Sequence, residues 1–139
     1  MSEKELQEKI LQYQVLEEKF KELNQRRELF AVKLLEVEQT MQAIEDINKS
    51  NEDEIFMPLG SGVFAPGKIN KKENMIVSLG GDIAVERDLE NVKSILEKRK
   101  KILEDGIENV KNAMVKVAND MRTIQLEAQD LLKDEDKAG

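Results

Sequence analysis

Residues 57–65 read Met-Pro-Leu-Gly-Ser-Gly-Val-Phe-Ala, and residues 77–85 read Val-Ser-Leu-Gly-Gly-Asp-Ile-Ala-Val. Each stretch is an apolar run, a glycine turn and a second apolar run, an order that is typical of a β-hairpin. The turns contain Gly60, Gly62, Gly80 and Gly81. Glycine readily takes the positive φ that such turns require. The sequence therefore predicts two consecutive hairpins within residues 54–85.

Prolines and polar residues indicate how the hairpins are bounded. Pro58 has no backbone N–H to donate to a strand ladder, so we expect its strand to lie at a sheet edge. Pro66-Gly67 predicts a turn between the two hairpins. The polar loop 70–74 (Asn-Lys-Lys-Glu-Asn) follows that turn.

The two short hairpins require a partner surface. Isolated hairpins are marginally stable in water, and their open edges favour pairing with another chain. We therefore expect strands from several subunits to assemble into shared β-sheets or β-barrels. The residues expected to carry this oligomerisation are the apolar residues Ile55, Met57, Leu59, Val63, Phe64, Ile76, Val77, Leu79, Ile83 and Val85.

Long heptad patterns flank the hairpins. From Leu16 to Ile44, apolar residues recur in steps of four and three, with Arg27 at the one missing position. This 3.5-residue repeat is typical of helices that wind into a left-handed coiled coil. Upstream, the stripe continues through Ile10 and Tyr13, but the next step to Leu16 is three where four is due. That irregularity predicts a local overwinding.

The second heptad pattern runs from Val85 to Leu131. Arg99 occupies one of its apolar positions, and two successive steps of four follow it, ending at Ile107. This stutter lies next to Gly106, and a glycine inside a helix costs about 1 kcal/mol relative to alanine. Two interpretations stay open at this sequence position: a bend in the helix, or an exposed glycine without a role.

The two heptad segments have matched lengths. Residues 3–49 form a first arm and residues 86–134 a second, and about 45 helical residues span about 65–70 Å. Joined by the hairpin block, the arms are expected to fold back on each other as an antiparallel coiled coil. Residues 135–139 form a charged tail. The sequence thus predicts one mainly helical α+β domain.

The far ends of the arms carry apolar residues that a two-helix coiled coil cannot fully cover. The tip residues are Leu6, Ile10, Leu11, Tyr13, Leu126, Leu131 and Leu132. Leu11, Leu126 and Leu132 lie off the heptad stripe, as does Val15. Exposed apolar residues at one place indicate either a binding surface or a frayed end. Because several cluster here, we interpret them as a binding surface.

Composition excludes most other classes of function. The 139 residues contain 37% charged residues, 4% aromatic residues and a net charge of −7, which disfavours a nucleic-acid binder. Histidine and cysteine are absent, so the commonest general base and thiolate chemistry are missing. No apolar run is long enough to span a membrane, and the charged N-terminus does not resemble a signal peptide. We expect a cytoplasmic protein that is not an enzyme and uses no cofactor or metal.

Two stretches imitate chemical motifs. Residues 62–68 (Gly-Val-Phe-Ala-Pro-Gly-Lys) have the spacing of a phosphate-binding loop, but Ile69 follows where that motif needs Ser or Thr. Residues 98–101 (Lys-Arg-Lys-Lys) could contact an acidic partner or nucleic acid, although a solvated helix face explains such a run more simply.

The repeated hairpin block resembles one known family. Residues 57–65 and 77–85, flanked by equal helical arms, are similar to the α-type subunit of archaeal prefoldin. The doubled block favours the α type, because the β-type subunit has a single hairpin. The resemblance covers essentially the whole chain, and its specificity lies in the hairpin block.

The resemblance implies an assembly and an activity. Two α-type and four β-type subunits would form a heterohexamer whose hairpins close into β-barrels and whose coiled coils project as six tentacles. The tips would hold unfolded client proteins without ATP and pass them to a group II chaperonin. On this chain, residues 55–65 and 75–85 would form the body, and the tip residues would face clients.

Two other functions stay open. A structural or adaptor coiled coil would bind one defined partner and would have no general effect on aggregation. A homo-oligomeric, filament-forming relative of prefoldin would assemble from copies of this chain alone.

Overall fold

The computed structural model describes residues 2–50, 53–70 and 74–138. In chain order the elements are helix α1 (Ser2–Lys49), strands β1 (Glu54–Gly60), β2 (Val63–Lys68), β3 (Asn74–Gly80) and β4 (Ile83–Asp88), and helix α2 (Leu89–Ala138). β1 pairs with β2 and β3 with β4, both antiparallel. The prediction of two long helices with two hairpins is confirmed. Within the predicted loop 70–74, residues 71–73 lie outside the described residues.

Both hairpins turn on glycines, as predicted. The two central residues of the first turn, Ser61 and Gly62, have φ values of 50° and 78°. Positive φ at both central residues is the pattern of a type I′ turn, whose twist matches that of the flanking strands. Gly60, directly before these two residues, has a φ of 113°. In the second hairpin, φ is 110° at Gly80 and 57° at Gly81.

The predicted turn at Pro66-Gly67 is wrong, because both residues lie inside β2. Pro66 pairs with Phe56, and Gly67 pairs with Ile55. Proline is tolerated there because, in a two-stranded sheet, each strand has one side without a neighbour. Gly67 leaves room for a side chain across the hairpin: a Cβ atom on Gly67 would lie 2.6 Å from Cε of Met57.

Helix α2 begins at Leu89 and is capped by the residue before it. Asp88 Oδ1 accepts a hydrogen bond of 2.8 Å from the backbone N–H of Asn91. Such a cap satisfies one of the N–H groups that the first helical turn leaves unpaired. β4 ends at Asp88, three residues after Val85. We had expected the hairpin block to end at Val85. At its other end, α2 continues to Ala138, through most of the expected charged tail.

The chain divides into two compact units. The first unit combines Met1–Lys33 with Leu103–Gly139, and the second unit is Leu34–Ile102. The core of the second unit consists of the buried residues Ile44, Val77, Val92 and Leu96. Hairpin β3–β4 is thus anchored on both helices through Val77. A hydrogen bond of 2.8 Å from the guanidinium of Arg99 to the carbonyl oxygen of Ser78 adds a second link.

In the first unit, the segments of α1 and α2 run antiparallel. Lys9 forms an ion pair with Glu127, whereas Phe30 lies against Gly106, so residue numbers rise along one helix as they fall along the other. The buried residues of this unit are Val110, Met114 and Val117. A Cβ atom on Gly106 would lie 3.3 Å from Cε2 of Phe30. The lack of a side chain at Gly106 therefore lets the Phe30 ring pack closely against α2, a role that neither of our two interpretations included.

The predicted overwinding near Tyr13 is wrong, because a lysine occupies the stripe that faces α2. The partly buried residues at this end of α1 are Leu6, Lys9, Tyr13 and Leu16, in regular steps of three, four and three. A lysine can lie at such a position because its aliphatic stem covers apolar surface while its ammonium group reaches a partner. Ile10, which we had placed in the stripe, lies beside it and is exposed.

The irregularity predicted at Ile107 lies elsewhere in α2. Arg99 is exposed and hydrogen-bonded to the carbonyl oxygen of Ser78, while Lys100 is partly buried. The less exposed positions therefore run through Val92, Leu96 and Lys100 in two successive steps of four. At this stutter the Arg99 side chain lies toward the hairpin and donates its hydrogen bond to Ser78. A heptad pattern does not predict that hydrogen bond.

Candidate functional site

The residues predicted to carry assembly are mostly exposed on the hairpins. Seven of them are exposed: Met57, Leu59, Val63, Phe64, Ile76, Leu79 and Ile83. Ile55 and Val85 are partly buried, and Val77 is buried. Val77 packs with Ile44, Val92 and Leu96 inside the second unit, so little of its side chain is left for a contact with another chain.

One face of hairpin β1–β2 carries two aromatic rings and two prolines. Phe56 lies opposite Pro66, and Pro58 lies opposite Phe64. Directly opposed residues share a face of an antiparallel pair, so these four side chains lie together. Phe56 is 77% exposed and Phe64 59% exposed. This surface, which we call the Phe–Pro face, is apolar.

Sequence reasoning missed Phe56 as a candidate assembly residue. It lies between Ile55 and Met57, so alternation along the strand assigns it to the opposite face from them. The cross-strand register aligns that opposite face with Phe64. Because the register shifts between Pro58 and Gly60, the alignment could not be counted from the turn in the sequence alone.

Hairpin β3–β4 divides its faces differently. Val77 lies opposite Val85 on the face that packs against the helices. On the other face, Ile76 lies opposite Glu86 and Ser78 lies opposite Ala84. Ile76 is 78% exposed, but its neighbours are small or charged. The outward face of this hairpin is therefore less apolar than the Phe–Pro face.

In the first unit, a shallow groove brings together two of the tip residues, Ile10 and Tyr13. It has a volume of about 370 Å³ and is lined by Lys9, Ile10, Tyr13, Gln14, Glu17, Ile124, Gln125 and Ala128. Tyr13 lies in the stripe that faces α2, whereas the exposed Ile10 lines the groove from beside that stripe. The Lys9–Glu127 ion pair lies beside them. This groove combines apolar walls with charged and amide groups.

A second groove lies on another side of α1 and is almost entirely apolar. It has a volume of about 390 Å³ and is lined by Leu11, Gln12, Val15, Leu16 and Ile124. Leu11 is 61% exposed and Val15 is 67% exposed. Because Gln12 is its only polar lining residue, this apolar groove suits a ligand that offers aliphatic side chains.

The remaining tip residues lie in the same unit. Leu126 and Leu132 are exposed, whereas Leu6 and Leu131 are partly buried. The latter two belong to the stripes through which α1 and α2 face each other. The exposed pair on α2 adds apolar surface to that of α1.

The two motif-like stretches have ordinary structural roles. Residues 62–68 end a turn and then form β2, paired along its length with β1, so they do not form a loop before a helix. In the run 98–101, Arg99 donates a hydrogen bond to Ser78 and Lys100 is partly buried.

Within the described residues, neither helix contains a segment apolar enough to cross a membrane. The described acidic side chains form no cluster suited to a metal ion.

Comparisons with known proteins agree with this architecture. Residues 3–134 match the family of prefoldin subunits. The chain is 34% identical over 130 residues to prefoldin subunit alpha of Pyrococcus horikoshii, covering 92% of this chain and 88% of that protein. It is 33% identical over 131 residues to prefoldin subunit alpha of Archaeoglobus fulgidus, covering 91% and 93%. The chain belongs to the prefoldin family.

A solved structure shares the fold. The filamentous prefoldin of Methanocaldococcus jannaschii, determined by cryo-electron microscopy, matches with a TM-score of 0.72 and 17% identity. The match covers 87% of this chain and 98% of that one. The two relatives named above are prefoldin alpha subunits, which confirms the resemblance that the doubled hairpin indicated.

Proposed function

We propose that this chain is a subunit of an ATP-independent chaperone that holds non-native proteins. The observation that carries the proposal is the pairing of two exposed apolar surfaces on one member of the prefoldin family: the hairpin faces in the second unit and the apolar groove in the first. One surface suits permanent assembly and the other suits transient contacts. No step of this activity requires catalysis or a cofactor.

The hairpins would provide assembly. We propose that the Phe–Pro face and the outward face around Ile76 are covered by strands of β-type subunits, in a hexamer of two alpha and four beta chains. Aromatic residues are enriched at interface cores because they bury a large apolar area with few rotatable bonds. Leu59, Val63 and Ile83, close to the two turns, would extend the same contact.

The tip residues, together with Val15, would hold the client. A non-native protein exposes apolar surface, and burial of that surface contributes about 25 cal/mol per Å². A shallow groove buries only part of a ligand, so each contact is weak. Several subunits joined in one assembly gain affinity through effective concentration, while single contacts still release quickly. The net charge of −7 favours solubility of the loaded complex.

Weak contacts also favour transfer of the client. We propose that the assembly acts in the cytoplasm and delivers held clients to a group II chaperonin. Fast release at each tip would allow a second chaperone to take over one client segment at a time. Incubating the loaded complex with chaperonin and separating by size tests this step, and a client that stays with the smaller complex would contradict it.

Light scattering tests the central proposal. A chemically unfolded protein is diluted into this chain, with and without a β-type partner and in the absence of ATP. We expect suppressed aggregation that requires both chains. Lack of suppression by a well-formed complex would favour the adaptor function instead.

A variant separates client holding from assembly. Changing Leu126, Leu131 and Leu132 to Ser should impair suppression and leave the mass of the complex unchanged. Val115→Ser is the matched control, because Val115 is an exposed apolar residue of α2 outside the tip residues. Loss of the complex in the triple variant would contradict the division of roles.

A homo-oligomeric assembly is the second candidate. The structural neighbour is a filament, although at 17% identity the match bears on the fold alone. Suppression of aggregation by this chain without a partner, together with high-mass species, would favour self-assembly through the hairpins.

A further inference from the structure

Helix α1 carries a row of exposed side chains outside the stripe that faces α2. The residues that face α2 recur through Lys9, Tyr13, Leu16 and onward to Phe30. The residues two positions after each of these lie about 200° further around the helix, on its outer side. That outer row reads Glu8, Leu11, Val15, Glu18, Glu22, Gln25, Leu29 and Val32, and every member is exposed.

The composition of the outer row is unusual for a two-helix coiled coil. Outward positions of such a pair normally carry polar residues. Here two aliphatic pairs occupy them: Leu11 with Val15, and Leu29 with Val32. Their exposed fractions are 61%, 67%, 55% and 56%. The first pair lines the apolar groove, and the second lies further along the same helix.

The spacing of the two pairs limits what can cover them. A third helix packed permanently on α1 needs a continuous heptad stripe. Between Val15 and Leu29 the row contains Glu18, Glu22 and Gln25, so no such stripe exists. Leu11 and Leu29 are eighteen residues apart and Val15 and Val32 are seventeen residues apart, which is about 25–27 Å along a helix. Two separate short apolar contacts fit this pattern.

The charges of the row indicate the chemistry of the ligand. Glu8 precedes the first pair, and Glu18 and Glu22 separate it from the second; the row itself contains no basic residue, and Lys21, Arg26 and Lys33 lie at adjacent positions of the helix. The whole chain has a net charge of −7. A segment with basic residues beside its apolar clusters would meet complementary charge, and opposite charges also speed encounter.

We propose that the outer row of α1 binds non-native polypeptide segments whose short apolar clusters are flanked by Lys or Arg. Leu11 and Val15 take one cluster, Leu29 and Val32 take another, and the intervening glutamates contact the basic flanks. This inference rests on the proposed chaperone function and extends it from the tip residues to a second contact further along the helix.

A matched pair of variants tests the second contact. Val32→Ser removes a member of the outer row, and Val115→Ser removes an equally exposed valine on α2. Each variant is assembled with a β-type partner, and binding of a fluorescent peptide with two leucine clusters flanked by lysine is measured by anisotropy. We expect Val32→Ser to weaken binding, the double variant Leu29→Ser with Val32→Ser to weaken it about tenfold, and Val115→Ser to leave it unchanged.

Three results would overturn the inference. Equal binding by the Val32→Ser and Val115→Ser complexes would show that the outer row does not contribute. A matched peptide flanked by glutamate that binds as tightly as the lysine-flanked peptide would refute the assigned ligand. A change in the mass of the complex on Val32→Ser would show that the row contacts another copy of the chain.

The outcomes also separate this inference from the proposed function. If the unaltered complex suppresses aggregation while Val32→Ser behaves like Val115→Ser, the chaperone function stands and the outer row is not part of it. If the unaltered complex neither suppresses aggregation nor binds the peptide, the chaperone function itself fails.

Discussion

The two hairpins share a sequence pattern but differ in what covers them. Val77 of β3 is 7% exposed and packs with residues of both helices, whereas Met57, its counterpart in β1, is 44% exposed. β3–β4 therefore belongs to the core of its subunit. No residue of β1–β2 is buried, and its most exposed face carries Phe56 and Phe64.

This difference suggests how a duplicated motif acquires two roles. One copy packs on the helices, and the other leaves an apolar surface exposed, which we propose another chain covers. Exposed apolar faces of this kind mark interaction sites, because solvent exposure of a contiguous apolar surface is unfavourable. The following substitutions measure the difference between the two hairpins.

Val77→Asp should have the largest effect on stability. A carboxylate placed in the core beside Ile44, Val92 and Leu96 would be buried without a partner, which we expect to lower the free energy of unfolding by about 3 kcal/mol. Urea unfolding followed by circular dichroism measures this change.

Met57→Asp is the matched control in the other hairpin. Because Met57 is substantially exposed, the same change there should alter the free energy of unfolding of the chain by less than about 1 kcal/mol. Equal losses in the two variants would refute the difference between the hairpins.

Phe56→Ser should have the next largest effect, on assembly with a β-type partner. Truncating an aromatic residue at the centre of an interface typically weakens association by about 2 kcal/mol, or about thirtyfold. Sedimentation of the mixed chains measures the loss of complex, while circular dichroism should show unchanged helix content. Glu86→Gln on the outward face of β3–β4 is a mild control, and a comparable loss there would contradict the leading role of the Phe–Pro face.

Periodicity predicted the architecture well but not the anchoring of the hairpins. The glycine turns and the two helices follow from local patterns, and the structure confirms them. Which hairpin packs on the helices depends on long-range contacts, and both Val77 and Met57 satisfy the same local pattern. Sequence alone therefore assigned both to assembly.

The errors along the helices have a related cause. Lys9 and Lys100 lie on the stripes that face the other helix, although a hydrophobic pattern omits lysine. Their placement depends on Glu127 in one case and on the bond between Arg99 and Ser78 in the other. The two errors along the helices thus concern residues whose placement depends on a distant neighbour. The turn predicted at Pro66 was wrong for another reason: in a two-stranded sheet one side of each strand forms no backbone hydrogen bonds, so a proline fits there.

Asp88→Ala should have a smaller effect, at the junction of β4 and α2. Loss of the hydrogen bond from the N–H of Asn91 should lower the free energy of unfolding by about 1 kcal/mol. Asp88→Asn retains a capping oxygen and should be nearly neutral. The cap connects the anchored hairpin directly to a helix, so its loss is expected to loosen β3–β4 more than β1–β2. Amide exchange of the two hairpins measures that asymmetry, and equal loosening would contradict it.

Gly67→Ala should have the smallest effect and would test how freely β1–β2 adapts. The new Cβ would overlap Cε of Met57 at 2.6 Å, but that atom is the end of a flexible and exposed side chain that can rotate away. The gain in strand propensity over glycine partly offsets the rearrangement, so we expect a change within about 0.5 kcal/mol in the free energy of unfolding. A larger loss would mean that Met57 is held as firmly as Val77. The two hairpins would then be equally ordered, and the division between an anchoring hairpin and an uncovered one would fail.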